Sequence, residues 1–149
     1  MKKILLGLLF LYALFFVVGS TMAPICAHFG LYELSAKLTS LFMYSCHQQP
    51  TKSFWLLGYP VALCARCLGV YLGTCISCIK EIFFLNNSFW KVNLFLFLIA
   101  LVDLFINYIL KFNTGVLPRF LSGIFIGMMF PVVISWIDYL IKKGKIKNV

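Results

Sequence analysis

Long apolar runs separated by short polar stretches organise this chain. Four runs read as membrane spans, residues 4–18, 60–79, 92–110 and 117–141; the first is shorter than the ~20 apolar residues a helix needs to cross a bilayer. Between residues 25 and 45 the pattern changes. Leu31, Leu34, Leu38 and Leu41 recur at helical spacing opposite Glu33, Lys37 and Ser40, which predicts an amphipathic helix lying at the membrane interface rather than a fifth span. Pro50, Gly58 and Pro60 then break the chain, and Pro60 suits the first turn of the second span. Phe54, Trp55 and Tyr59 fit an aromatic belt at headgroup depth. Asn86, Asn87 and Ser88 read as the turn between spans two and three, and residues 111–115 as the turn between spans three and four. The expected architecture is an all-α integral membrane protein with one domain over residues 1–149. It is a four-transmembrane-helix bundle with an amphipathic interfacial helix between helices 1 and 2.

Composition strengthens this reading. With 62% hydrophobic and 11% charged residues, the chain is too apolar for a soluble globular domain. Its net charge of +9 comes mostly from Lys2 and Lys3 at one end and Lys142, Lys143, Lys145 and Lys147 at the other. These lysines flank apolar spans and form no patch interleaved with aromatics, which argues for cytoplasmic ends and against nucleic-acid binding. Both termini are thus expected in the cytoplasm, with the protein in the cell (inner) membrane. Residues 31–59, the start of span two, the end of span three and the start of span four then face outward. A lysine-led start, an apolar core and Thr21-Met22-Ala23 also fit a signal peptide cleaved within residues 1–23.

Candidate chemistry gathers on that outer side. Cys46-His47 precedes Cys64-Ala65-Arg66-Cys67, and three thiols with one imidazole supply the donor set of a tetrahedral zinc or iron site. Adjacent Cys46 and His47 can share one ion only if the backbone there is irregular; without His47, three ligands leave an open position. Cys64 and Cys67 are expected in the first two turns of helix 2, where the helix dipole and Arg66 favour thiolate. Cys75 and Cys78, ~16 Å further along that helix, read as small hydrophobes. His28, in Cys26-Ala27-His28, is a spare ligand. Arg66, Asp103, Asn107, Arg119 and Ser122 are the polar residues of the spans. Charges at such depth face the bundle interior in pairs, so Asp103 is expected to pair with Arg119 or Arg66, as a structural lock or as part of a catalytic group. Gly69-x-x-x-Gly73 and Gly123-x-x-x-Gly127 place small residues one turn apart and predict close helix packing.

Cys46-His47-Gln48-Gln49-Pro50, Ser53-Phe54, Gly58, Pro60, Cys64-Ala65-Arg66-Cys67, Gly69, Tyr71 and Gly73 resemble the signature of a family of small prokaryotic membrane proteins known as domain of unknown function 2085. Asp103, Asn113, Arg119, Ser122-Gly123 and Gly127 resemble its second block. The resemblance covers residues 45–127 and implies no particular activity. It singles out Cys46, His47, Cys64, Arg66, Cys67, Asp103 and Arg119 and omits Cys26, His28, Cys75 and Cys78. The chain departs from the family pattern at Lys52, where arginine is usual, and at Asn107, where glutamine is expected.

Two function classes follow. In the first, zinc sits on Cys46, His47, Cys64 and Cys67 near the outer surface, while the arginines offset thiolate charge or receive an anionic group such as a lipid phosphate or a small ligand. In the second, the protein is a membrane thiol-disulfide oxidoreductase that passes electrons from Cys64 and Cys67 to a quinone, with Cys26 and Cys46 as the partner pair.

Overall fold

The computed structural model describes residues 2–83, 90–109 and 114–147. Five α-helices occur among them: α1 (Lys2–His28), α2 (Tyr32–Phe42), α3 (Ala65–Phe83), α4 (Trp90–Tyr108) and α5 (Val116–Lys147). Between α2 and α3 lie a short 3-10 turn, Pro50–Lys52, and a hairpin of two-residue strands, β1 (Trp55–Leu56) and β2 (Tyr59–Pro60). The expected turn at Asn86, Asn87 and Ser88 lies outside the described residues, as do residues 111–113 of the other turn and Asn113 of the family's second block. α1, residues 91–108 of α4 and residues 116–141 of α5 are each long and apolar enough to cross a membrane. α3 is as long as α4 but carries Arg66 in its first turn and Lys80 and Glu81 in its last.

The helices form a row in the order α2, α1, α3, α5, α4. Lys2 Nζ lies 3.4 Å from Glu81 Oε2, so the start of α1 meets the end of α3 and the two run antiparallel. α3 and α5 run parallel, since Thr74 Oγ1 bonds the Gly127 carbonyl and Ser77 Oγ the Met128 carbonyl. Ser122 on α5 meets Asp103 on α4, and Arg119 meets Asn107, so that pair is antiparallel.

The two glycine pairs face one another across α3 and α5. A Cβ built on Gly69, Gly73, Gly123 or Gly127 would fall 2.3, 2.1, 2.2 or 2.0 Å from a backbone oxygen of the other helix. Any side chain there pushes the helices apart, so the small residues set the spacing.

Two helices run through prolines, and the structure answers each. Proline has no N–H to give the carbonyl four residues earlier. Pro24 therefore frees the Ser20 carbonyl in α1, and the Ala62 amide donates to it at 3.2 Å. Pro131 frees the Gly127 carbonyl in α5, and the Thr74 hydroxyl donates to it. With its break satisfied from outside, α1 extends ten residues beyond the expected end at residue 18 and carries Cys26 and His28 in its last turn.

Two boundaries differ from expectation. α2 starts only at Tyr32, after a turn at Gly30 with φ +78°. α3 begins at Ala65 rather than Pro60, because Tyr59 and Pro60 pair with Leu56 and Trp55 in the hairpin. Leu57 and Gly58 at its tip both take positive φ, 54° and 85°, the requirement of the tight turn whose twist matches two paired strands. Phe54 does not belong to an outward belt: its ring packs edge-on against Phe120, centroids 5.2 Å apart. Trp55 is exposed.

Candidate metal centre

The turn after α2 positions Cys46. Phe42 at the end of α2 is fully buried, with its ring on Gly19 and beside Phe15 and Phe16 of α1. From this anchor the Phe42 carbonyl accepts from the amides of both Ser45 and Cys46. Gln48, at φ 47°, turns the chain back, and its side-chain amide donates to the carbonyl of Thr39, one of the last four of α2 that lack helical donors. The second strand of ligands is pinned by the Ala62 amide on α1, just before Cys64. Cys64 itself lies one residue ahead of α3, its carbonyl accepting from Leu68 N–H to close the first turn. Cys67 follows in that first turn.

These two segments bring Cys46, Cys64 and Cys67 together, with the three Sγ atoms within 4.8 Å of one another. The Cys64 amide donates to Cys46 Sγ at 3.3 Å across eighteen residues of sequence. Cys46 is buried and the other two are partly so, in a cluster that includes Phe16, Phe42, Leu63 and Leu68. The Cys46 thiol is held far below the ordinary thiol range. Hydrogen bonds from the Cys64 and then the Cys67 side chains favour its thiolate, the Cys64 amide adds to them, and burial opposes. Cys64 is pushed up, chiefly because its proton is committed to Cys46. Contact among the three thiols at the positive end of α3 thus favours the thiolate at Cys46.

A cleft of about 460 Å³ opens beside the trio. The 45–52 segment, the start of α3, the end of α4 and the start of α5 form its walls, with Arg66, Lys52, Asn107, Tyr108 and Arg119 among the lining residues. Behind it a polar network joins α3, α4 and α5. Arg66 Nη2 donates to Asp103 Oδ2 at 2.8 Å, and Ser122 Oγ donates to the same oxygen at 2.8 Å. Asn107 Nδ2 donates to Asp103 Oδ1 at 2.9 Å, while Arg119 Nε and Nη2 reach Asn107 Oδ1 at 3.0 and 2.8 Å. Asp103 therefore pairs with Arg66, and Arg119 is held by the neighbouring amide. Thr114, which bonds both Asp103 and Asn107, was not legible as a member, because nothing in its local sequence marks it.

His47 is exposed and lines the cleft, but its ring stands outside the group of three thiols. Cys26 is buried on α1 and is not a member of the trio. Cys75 and Cys78 are buried further along α3, with Cys75 against the Phe10 carbonyl of α1. All six cysteines are free thiols. A second polar cluster that sequence reading missed joins Lys2, Glu81 and Ser135 at the opposite end of the row. Glu81 and Ser135 gave no signal because their partners lie 79 and 54 residues away.

Comparison with known proteins places the chain among small membrane proteins. An uncharacterized protein of Methanocaldococcus jannaschii is 28% identical over 160 residues, covering 97% of this chain and all of that protein. An uncharacterized protein of Methanothermobacter thermautotrophicus is 28% identical over 86 residues, covering 50% of this chain and 77% of that protein. No solved structure matches. The family described as predicted membrane protein (DUF2085) matches residues 46–133, from the first thiol of the trio to beyond Pro131. The chain belongs to that family.

Proposed function

We propose that the chain forms one membrane domain of four spans, α1, α3, α4 and α5, which holds a zinc ion on Cys46, Cys64 and Cys67 at its extracytoplasmic end. One observation carries the metal reading: three thiols from two separate segments converge within 4.8 Å. Zinc–thiolate bonds of about 2.3 Å in tetrahedral geometry hold sulfurs about 3.8 Å apart, so the trio needs only a small contraction. A fourth ligand to such an ion would come from the cleft, which His47 lines. Arg66 and Arg119 offset the charge of the thiolates. The fourth span is supported by the length of α3, 19 residues or ~28 Å at 1.5 Å per residue, close to the ~30 Å of a bilayer core. Its charges lie at its two ends. α2, with Leu31, Leu34 and Leu41 exposed, lies along the interface. Retention of residues 1–23 is supported by Ser20, whose carbonyl holds Ala62 ahead of Cys64.

The test is metal content and thiol state after gentle purification without chelator. We expect about one zinc per chain, three thiols protected from alkylation until chelation, and metal loss on Cys64→Ser or Cys67→Ser but not on Cys75→Ser or Cys78→Ser. His47→Ala should keep most of the metal. Iron in place of zinc keeps the site and changes its ion. Metal-free protein with a Cys64–Cys67 disulfide under anaerobic preparation, able to pass electrons from a dithiol to a quinone, overturns this reading in favour of the oxidoreductase.

A further inference from the structure

The cleft beside the thiols carries more positive charge than its surroundings neutralise. Lys52, Arg66 and Arg119 line it, and of the chain's four carboxylates only Asp103 reaches them, paired with Arg66. Glu81 is tied to Lys2 at the far end, Glu33 sits in the first turn of α2, and Asp138 lies ~28 Å beyond Arg119 along α5. Arg119 is only 8% exposed, yet among the described residues its side chain is held by an amide oxygen and by no carboxylate. A guanidinium buried that deeply is costly without a counter-charge. Arg66 adds a buried Nε with no hydrogen-bond partner among the described residues.

Lys52, Arg66 and Arg119 thus face the cleft with Asp103 as the carboxylate that meets them, and Arg119 is left with an amide oxygen as its partner among the described residues. A volume of about 460 Å³ lies in the range of small-ligand sites. Two planar guanidinium groups and one ammonium, carried on three separate segments, suit the several oxygens of a phosphate better than a lone carboxylate.

We propose that this cleft binds a phosphodiester, held by Arg119, Arg66 and Lys52 beside the thiol trio. The inference goes beyond the metal site, because it rests on the cations that line the cleft and not on the ion. The ligand is a lipid headgroup or a soluble diester; the chemistry is shared, and the experiment separates the sources.

Full-length protein in neutral detergent is titrated with dimethyl phosphate, with zinc present and with chelator, and binding is read by thermal shift. In parallel, protein in mixed phosphatidylglycerol and phosphatidylcholine nanodiscs is released and its retained lipid identified by native mass spectrometry. We expect saturable binding of at least one probe in both metal states. Retained phosphatidylglycerol without dimethyl phosphate binding assigns a lipid; binding of both assigns the headgroup diester itself; binding of dimethyl phosphate alone assigns a soluble ligand. Arg119→Gln should weaken binding about tenfold or more, the loss of one charge-assisted contact, and Arg119→Lys should recover part of it. Lys52→Gln, half-buried at the end of the Pro50–Lys52 turn and outside the helix contacts, gives the same readout should Arg119→Gln fail to fold. Lys37→Gln on the exposed face of α2 removes an equal charge and should change nothing. Absence of binding to either probe, equal competition by chloride, or an equal loss in Lys37→Gln overturns the proposal. Binding that survives in metal-free protein leaves it standing even where the zinc assay fails.

Discussion

Asp103 accepts hydrogen bonds from groups on three segments, Arg66 on α3, Asn107 on its own helix and Ser122 on α5, so its removal loosens more than one pair. We expect Asp103→Asn to destabilise the protein by about 1–3 kcal/mol, the cost of leaving a part-buried guanidinium without its acceptor. In double-mutant cycles read by thermal or denaturant unfolding, coupling to Arg66→Gln should clearly exceed coupling to Arg119→Gln, whose guanidinium bonds Asn107 instead. Additive effects with Arg66 contradict the pairing. Thr74 offers a cleaner test of the other half of the bundle. Its hydroxyl serves the Gly127 carbonyl that Pro131 leaves without a helical donor, so Thr74→Val keeps the shape and should cost about 1–3 kcal/mol for a buried unsatisfied group. Ser40→Ala on exposed α2 should cost nothing measurable. At this scale the sequence showed which side chains gather at the site but not how they pair. Cys46, Cys64, Cys67, Arg66, Asp103 and Arg119 were all legible, because thiols and charges stand out in apolar segments. The choice of Arg66 over Arg119, and the place of Thr114 and Ser135, depend on which helices become neighbours.

Among elements, α3 carries most of the architecture, lying between α1 and α5 and opening at the thiol trio. Its contact with α5 sets glycines of each helix against the backbone of the other, with no room for a methyl group. We expect Gly69→Ala, Gly73→Ala, Gly123→Ala and Gly127→Ala each to destabilise by about 1–3 kcal/mol, the usual cost of overpacking a close contact. Gly7→Ala, where an added Cβ meets nothing, should be neutral or slightly stabilising through its better helix propensity. Equal tolerance at both kinds of site, measured by unfolding in mild detergent, would show that the glycines do not set the spacing. The glycine periodicity was readable from spacing alone, and so were the existence and kind of the apolar helices. Boundaries were less so. Pro24 and Pro60 look alike as chain breakers. Yet Pro24 sits inside α1 because Ala62 supplies a donor from another segment, and Pro60 sits outside α3 because Leu57 and Gly58 accept left-handed backbone and close a hairpin. Neither compensation is local, so neither leaves a local trace. The delayed start of α3 matters for the site: with Cys64 ahead of the helix and Cys67 in its first turn, the two sulfurs converge on Cys46.

For the molecule as a whole, the two polar clusters mark opposite ends of the helix row. Lys2, Glu81 and Ser135 gather the start of α1 with the ends of α3 and α5, while Arg66, Asp103 and Arg119 gather the start of α3 with the end of α4 and the start of α5. α1 and α4 therefore run one way and α3 and α5 the other, as the proposed four spans would alternate. The lysine-rich C-terminal segment, like Lys2 and Lys3, lies at the Glu81 end, and basic flanks favour the cytoplasm. In the proposed orientation the thiol trio and its cleft open on the far side of the membrane. A soft ion held there would exchange with the outside medium, and the proposed phosphodiester would reach the cleft from the outer leaflet or that medium. Tyr44, 93% exposed beside the trio, and Lys143, exposed near the end of α5, make the orientation measurable. In intact cells an impermeant maleimide should label Tyr44→Cys, while Lys143→Cys should stay unlabelled until the membrane is permeabilised. Zinc kept in the medium protects the native trio and leaves the introduced thiol as the reporter. Labelling of Lys143→Cys from outside would invert the molecule, place the trio in a reducing compartment, and require that both the metal and the phosphodiester come from the cytoplasm.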